Sequence, residues 1–326
     1  MSLASAWRSL LFVPAHQPRF IDAARRGEAD ACVLDLEDSV PPAQKPPARE
    51  AFTGAAKAIA EGGKPVLVRI NAPWRLAVRD LEAAVGPSVS AIVAPKVEAR
   101  ATLNALDELL ADLEGEAGLP IGKIGVIAQI ESVNALPRLD DICTGPRLIG
   151  LSLGSEDFSA SAGMTPSSRT LMAPNQEIVF ACRRHGLLPF GFPGSIADYA
   201  DVEAFEETAR LASEMGFGGA FCIHPRQVAI LNRAFTPDPT ALEQALRILE
   251  AYRLAVRQGR GATVLDGRMI DPPVVAQAQA LLARARPNPG VTAAKRSGEA
   301  TIPTALPAYH SHAPYDLCGD PAPDRS

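Results

Sequence analysis

The sequence predicts an α/β protein built as a (β/α)8 barrel, followed by a helical C-terminal extension and a disordered tail. Three observations carry this. Eight short apolar runs recur between residues 8 and 225, most of them continuous rather than alternating, as strands buried on both faces of a parallel sheet are. The gaps between them mostly carry helical patterns. The 326 residues also leave ample room, since such a barrel uses about 250 as one domain. A doubly wound open sheet is the alternative. It usually has fewer strands, and no GxGxxG follows the first strand here.

The expected strands are Arg8–Pro14, Ala31–Glu37, Pro65–Asn71, Ala91–Val97, Gly125–Glu131, Leu148–Gly154, Leu187–Pro193 and Gly219–Pro225. Ala99–Leu113, Asn175–Arg184 and Val202–Met215 read as helices between them. In the last, Val202, Phe205, Ala209, Ala212 and Met215 recur at three- and four-residue steps, Asp201 suits the N-cap and Gly216 the C-terminal stop. Beyond the eighth strand, Thr240 to Glu243 reads as a capping box, with Leu242, Ala245, Leu249, Tyr252 and Val256 as its helix's apolar stripe. A loop, GRGATVLDGRMID, leads to a last helix over Pro272–Ala285 with proline in its first turn. The chain therefore divides into a barrel over 1–235, a helical extension over 236–286 and a proline-rich, mobile tail over 287–326.

Composition narrows the function classes. A net charge of −5 leaves no general basic footprint for nucleic acid. No run of about 18 apolar residues is present, so no membrane span is expected. The N-terminus lacks a signal-peptide pattern, and a cytoplasmic location is expected. The 5 cysteines are odd in number and form no CxxC pair, which disfavours a disulfide framework and a zinc knuckle.

In a βα barrel the working residues sit at the C-terminal ends of the strands. Several apolar runs here end in charge. Asp35, Glu37 and Asp38 follow the second, Arg69 and Asn71 the third, Lys96 the fourth, Glu131 the fifth, and Glu156 and Asp157 the sixth. Charges against buried strands are costly unless paired or bound to a ligand. Oxygen-only ligands favour Mg²⁺, which takes one or two carboxylates and keeps sites for water and substrate. Arg69 can then face a substrate carboxylate bidentately. The alternative is an internal salt-bridge network, with Arg69 and Lys96 balancing Asp38 and Glu131.

The strings RSLLFVPA, LDLEDSV, VRIN, PKVE, IAQIES, GSEDFSASAG, IHPRQ and DGRMIDPPVV run in order from Arg8 to about Ala285. As an ordered set they resemble the HpcH/HpaI aldolase and citrate lyase β-subunit family, closest to its malyl-CoA and citramalyl-CoA lyase branch. The resemblance implies a homotrimer that makes or breaks a carbon–carbon bond in a 3-hydroxyacyl-CoA with Mg²⁺ as cofactor, through an acyl-thioester enolate. It implies Glu131 and Asp157 as metal ligands, with Glu131 also at the substrate, and Arg69 as a substrate-binding and catalytic group. It implies Asp271 as an acid/base that reaches a neighbouring subunit's site. Phe12 and Arg19 match positions that contact CoA, and the main chain at Ile223 and His224 lines the same groove. Asp35, Asp38 and Lys96 are expected behind the ligands, the two aspartates ordering metal-bound water. Ala15, Ala23 and Gly191 depart from the family pattern of glycine, lysine and an acidic residue. A thioesterase on the same scaffold, an aldolase on free keto acids and a non-catalytic binding homologue are the competing functions.

Some residues also have plain structural readings. Asp271 before Pro272 suits an N-cap. His224 reads as a satisfied structural histidine. Cys32, Cys182 and Cys222 read as small buried side chains. His310, His312, Asp316 and Cys318 in the tail form no expected metal site. Ser152 and Ser155 lack the GxSxG elbow of a serine hydrolase.

Overall fold

The computed structural model describes residues 7–197 and 200–285. Eight parallel strands follow the order β7-β6-β5-β4-β3-β2-β1-β8. They are β1 (Ser9–Pro14), β2 (Ala31–Asp35), β3 (Val66–Arg69), β4 (Val89–Ala94), β5 (Gly125–Ile130), β6 (Leu148–Leu153), β7 (Leu188–Phe190) and β8 (Ala220–Cys222). A parallel bridge from Phe190 to Gly219 brings the two end strands together. There the Gly191 N–H donates to the Gly219 carbonyl at 2.9 Å and the Gly218 N–H to the Pro189 carbonyl at 3.0 Å. The result is the expected (β/α)8 barrel.

Helices α1 (Pro18–Arg26), α2 (Lys45–Glu61), α3 (Trp74–Ala84), α4 (Arg100–Glu116), α5 (Leu139–Cys143), α6 (Ser155–Ala162), α7 (Ser168–His185), α8 (Val202–Met215) and α9 (Pro225–Ala234) fill the connections. Between sheet and helices lies a continuous apolar layer that includes Leu34, Val68, Ile92, Ala128 and Leu151. A second cluster, among them Leu10, Val33, Leu67, Val93, Ile127, Phe190 and Phe221, fills the barrel interior. Side chains therefore alternate between the two layers along each strand.

The interior depends on β6 being narrow. Its register sets Gly150 beside Ile127 and Ser152 beside Gln129. A Cβ at Gly150 would stand 2.4 Å from the Leu188 carbonyl oxygen and 2.9 Å from the Phe190 ring. Small residues on β6 thus leave space for the large ones on β5 and β7.

Helix α8 has the expected bounds, and the Asp201 carboxylate accepts from the Ala204 N–H. Helix α7 starts earlier than the Asn175 start expected from its apolar period. Ser167 and Thr170 form a capping box there, and Pro174 is carried inside the helix. Beyond the barrel, α10 (Pro239–Arg257) is capped by Asp238, not by the expected Thr240 box: Pro239 takes the first helical position and the Asp238 carboxylate accepts from the Thr240 N–H. The expected loop before the last helix contains a hairpin, β9 (Thr263–Leu265) with β10 (Arg268–Ile270). Asp266 and Gly267 turn it with φ of 52° and 76°, the two left-handed residues a type I′ turn requires. Helix α11 (Pro272–Ala285) follows and packs on α10. The expected tail, its histidines and Cys318 lie outside the described residues. No helix among the described residues is long and apolar enough to cross a membrane.

Candidate active site

Strand ends β1, β3, β5, β6 and β8, with the chain after β7, surround a cleft of about 120 Å³. Phe12, Asp38, Arg69, Gln129, Glu131 and Asp157 are among its lining residues. Arg69, Glu131 and Asp157, expected at strand ends, are thus joined with Phe12 and Asp38 only because the barrel closes; they are spread over about 145 positions of sequence.

Arg69 is committed before any ligand arrives. Its Nε and Nη2 donate to the two oxygens of Asp35 at 2.8 and 2.7 Å. Its Nη1 lies 3.3 Å from Glu37 and 3.2 Å from Asp38. The guanidinium carbon sits 4.5 Å above the Phe12 ring, which stacks on Phe221. Burial opposes the Arg69 charge, but the Asp35 carboxylate and its two acidic neighbours outweigh it and hold its pKa up. Asp35 is fully buried, and its remaining capacity is taken by the N–H groups of Glu37 and Ser39. It therefore orients Arg69 and the loop after β2 rather than touching the cleft.

That loop is held from behind. The Lys45 ammonium donates to the Leu36 and Glu37 carbonyls at 2.9 Å each. Asn71 donates to the Leu36 carbonyl at 2.8 Å and to buried Asp80 at 2.7 Å, and Asp80 also accepts from Arg49 at 2.6 Å. Asn71, read from sequence only as a polar strand end, is thus a brace.

Glu131 and Asp157 face a common space from β5 and α6. Burial, then the nearby Glu37 and Asp157 carboxylates, push Glu131 up to about 8. Burial likewise pushes Glu37 up to about 7, against the pull of Arg69. Lys96 bridges the pair: its N–H donates to Glu131 at 3.1 Å and its ammonium lies 3.5 Å from Asp157. Lys96 holds a left-handed backbone, φ 53°, a conformation a side chain normally avoids. Helix α6 begins at Ser155 without a side-chain cap, and Gly154, Ser155, Glu156 and Asp157 all line the cleft. Its first N–H groups form a ready anion site beside the carboxylates.

The remaining expected residues sit outside the cleft lining. Arg19 is exposed on α1, stacked on its neighbour Phe20. Ile223 and His224 follow β8, which pairs with β1, so all three share one rim. Both of their N–H groups donate to the Gln227 side chain, and the His224 ring caps α9 by accepting from the Arg226 N–H at 3.1 Å. Asp271 caps α11 through the Val274 N–H at 3.3 Å and is not part of this chain's own cleft. The described cysteines are all buried thiols. The sequence reading overlooked Gln129, buried Ser152 as a cleft residue, and the apolar wall of Phe192, Ile196 and Phe221. A signal existed for the first two: they lie two residues before Glu131 and Gly154, on the same face of their strands.

Residues 8–225 match the HpcH/HpaI aldolase/citrate lyase family. The chain is 34% identical over 302 residues to the L-malyl-CoA/beta-methylmalyl-CoA lyase of Cereibacter sphaeroides, covering 85% of this chain and 94% of that protein. It is 30% identical over 285 residues to the citrate lyase subunit beta of Leuconostoc mesenteroides subsp. cremoris, covering 86% and 94%. The protein CitE of Mycobacterium tuberculosis, solved with magnesium, acetoacetate and coenzyme A, has a TM-score of 0.67 and 32% identity, over 86% of this chain and 98% of that one. The citrate lyase beta subunit from the same organism, complexed with oxaloacetate and magnesium, has a TM-score of 0.58 and 30% identity, over 73% and 100%. The chain belongs to the HpcH/HpaI aldolase/citrate lyase family and is a carbon–carbon lyase of the citrate lyase β and malyl-CoA lyase type.

Proposed function

We propose that the chain is a Mg²⁺-dependent lyase that cleaves or forms a 3-hydroxyacyl-CoA, such as malyl- or citramalyl-CoA, through an acyl-thioester enolate. The observation that carries this is the convergence of Glu131, Asp157, Arg69 and an uncapped helix N-terminus on one cleft. The site fits the cation. Glu131 is 6% exposed and crowded by other carboxylates, and a divalent ion relieves that repulsion. No group of three or more acidic, His or Cys side chains suited to a metal occurs among the described residues. That agrees with Mg²⁺, which usually keeps waters beside one or two carboxylates. Glu131 and Asp157 would hold it, and it would supply Lewis-acid polarisation at the keto-acid oxygen.

The chain's own groups do the rest. The N–H groups opening α6 receive the substrate carboxylate. Arg69, fixed by Asp35 and shielded on one face by Phe12, stabilises charge developing on oxygen without having to reorganise. Phe12, Phe192 and Phe221 keep water from one wall. The thioester end leaves across the β1–β8 rim, past Arg19, Ile223 and His224. Asp271 of a neighbouring copy in a homotrimer exchanges a proton with the enolate carbon. The deciding assay incubates the protein with Mg²⁺, malyl- or citramalyl-CoA and phenylhydrazine, which traps released keto acid. Keto-acid hydrazone is expected. Free CoA without keto acid would make the protein a thioesterase, and neither product would make it a binding homologue.

A further inference from the structure

Gln227 links the rim after β8 to the wall of the cleft. It is 1% exposed, in the first turn of α9. Its Oε1 accepts from the Ile223 N–H at 2.9 Å and from the His224 N–H at 3.1 Å. Its Nε2 donates to the Ile196 carbonyl at 3.1 Å. The orientation of the amide follows from its partners, since two donors face one end and a carbonyl faces the other. Ile196 lines the cleft from the segment after β7. One planar amide therefore sets the separation between rim and wall. The same segment is tied on its other side. The Ser195 hydroxyl donates to Glu156 at 2.6 Å and accepts from the Ala197 N–H at 3.1 Å. Glu156 stands on α6, next to Asp157. A helix cap explains only half of Gln227. His224 and Gln227 form a capping box at the start of α9, and such a box uses the Gln227 oxygen alone. The amide nitrogen and its bond to Ile196 lie outside it.

We infer that Gln227, with Ser195 opposite it, is a positioning residue for the acyl-thioester end of the substrate. The inference rests on the lyase reading above. The cleft has a polar side, with Glu131, Asp157 and the start of α6, and an apolar side, with Phe12, Phe192, Ile196 and Phe221. The keto-acid end belongs to the polar side. A thioester entering over the β1–β8 rim passes along the apolar side. The width open to it there is the separation between the rim main chain and Ile196, which Gln227 holds. Phe192, on the same wall, is met edge-on by Phe205 of α8 at 5.2 Å, so the wall is backed by the barrel's outer layer. Contacts along this passage are made alike before and during the reaction, so they act on affinity rather than on the chemical step.

The test uses the full chain with Mg²⁺ and malyl-CoA or citramalyl-CoA, whichever it cleaves. Gln227→Glu keeps an oxygen for the two N–H groups, and glutamate serves a capping box as glutamine does. It removes the donor to Ile196. Ser195→Ala releases the other tie. Each variant should raise KM for the thioester at least about fivefold with kcat nearly unchanged, the pattern of lost binding rather than lost chemistry. Calorimetric affinity for the released keto acid with Mg²⁺ should stay at the wild-type value, and hydrogen exchange should quicken over residues 192–197. A residue that only caps α9 leaves KM untouched by Gln227→Glu, and a smaller folded fraction lowers kcat at constant KM. Either result would overturn the inference and leave the lyase reading standing. So would equal loss of thioester and keto-acid binding, which marks a general disturbance of the cleft. If Gln227→Glu fails to fold, Ser195→Ala decides by the same criteria. A wild-type chain that cleaves neither thioester would instead overturn the lyase reading, and this one with it.

Discussion

Glu131 sets the behaviour of the metal-free protein. It is buried at the end of β5, beside Asp157 and Glu37, and its one hydrogen bond among the described residues comes from the Lys96 N–H. Its folded pKa stands at about 8 against an ordinary 4.5, and that of Glu37 at about 7. Both carboxyls keep protons in the folded chain that the unfolded chain has already released. Between those limits the folded state binds more protons, so stability must fall as pH rises. Thermal unfolding in EDTA should therefore show Tm decreasing from about pH 5 to about pH 8, as a few kcal/mol of unfolding free energy is lost. Glu131→Gln should flatten much of that slope. Saturating Mg²⁺ should shrink it too, since the cation favours the ionised carboxylate. A level wild-type profile across this range would show that Glu131 is not crowded as described.

At the scale of the element, β6 and the turn after it decide whether Glu131 has a place to stand. A Cβ on Gly154 would lie 2.4 Å from the Glu131 Cγ and 2.7 Å from its Oε1. Gly154→Ala should displace Glu131, weaken Mg²⁺ binding at least tenfold and cost about 1–3 kcal/mol of stability. Calorimetric titration of Mg²⁺, with unfolding curves as the fold control, measures both; unchanged metal affinity would separate Glu131 from the cation site. None of this closeness was legible in the sequence, where Gly154 simply ends an apolar run. The runs themselves were legible because a strand buried on both faces must be continuously apolar, and the charges ending them stood out for the same reason. What pattern alone could not convey was partnership. Arg69 reads as an available guanidinium until β2 and β3 pair and bring Asp35 opposite it. The hairpin before α11 was within reach, since Asp266-Gly267 lies between short apolar runs, but each run is only three residues long. Pro174 obscured the start of α7, where the Ser167 capping box outweighs a helix-breaking residue.

At the scale of the whole molecule, the extension after α9 leaves large apolar side chains exposed. Helix α10 buries only Ala245 and Ala255 completely, while Leu246, Leu254 and Val256 are exposed. On the hairpin, Val264 is 67% and Met269 63% exposed, and the chain passes directly from there to Asp271. Apolar side chains this exposed, next to an aspartate kept out of its own cleft, are the surface that the proposed homotrimer would cover if each copy completes its neighbour's site. The arrangement makes a prediction that single substitutions cannot. Asp271→Asn and Glu131→Gln should each be inactive alone. Mixed before assembly in equal amounts, they generate sites in which an intact Glu131 cleft meets an intact Asp271 from the next copy. Random cyclic assembly places such a pair at about one site in four, so about a quarter of the wild-type rate should return. Size-exclusion chromatography with light scattering would report the trimer, and the keto-acid trapping assay the rate. If both variants are inactive alone and their co-assembled mixture stays inactive, or if an isolated monomer is fully active, Asp271 does not work across a subunit boundary.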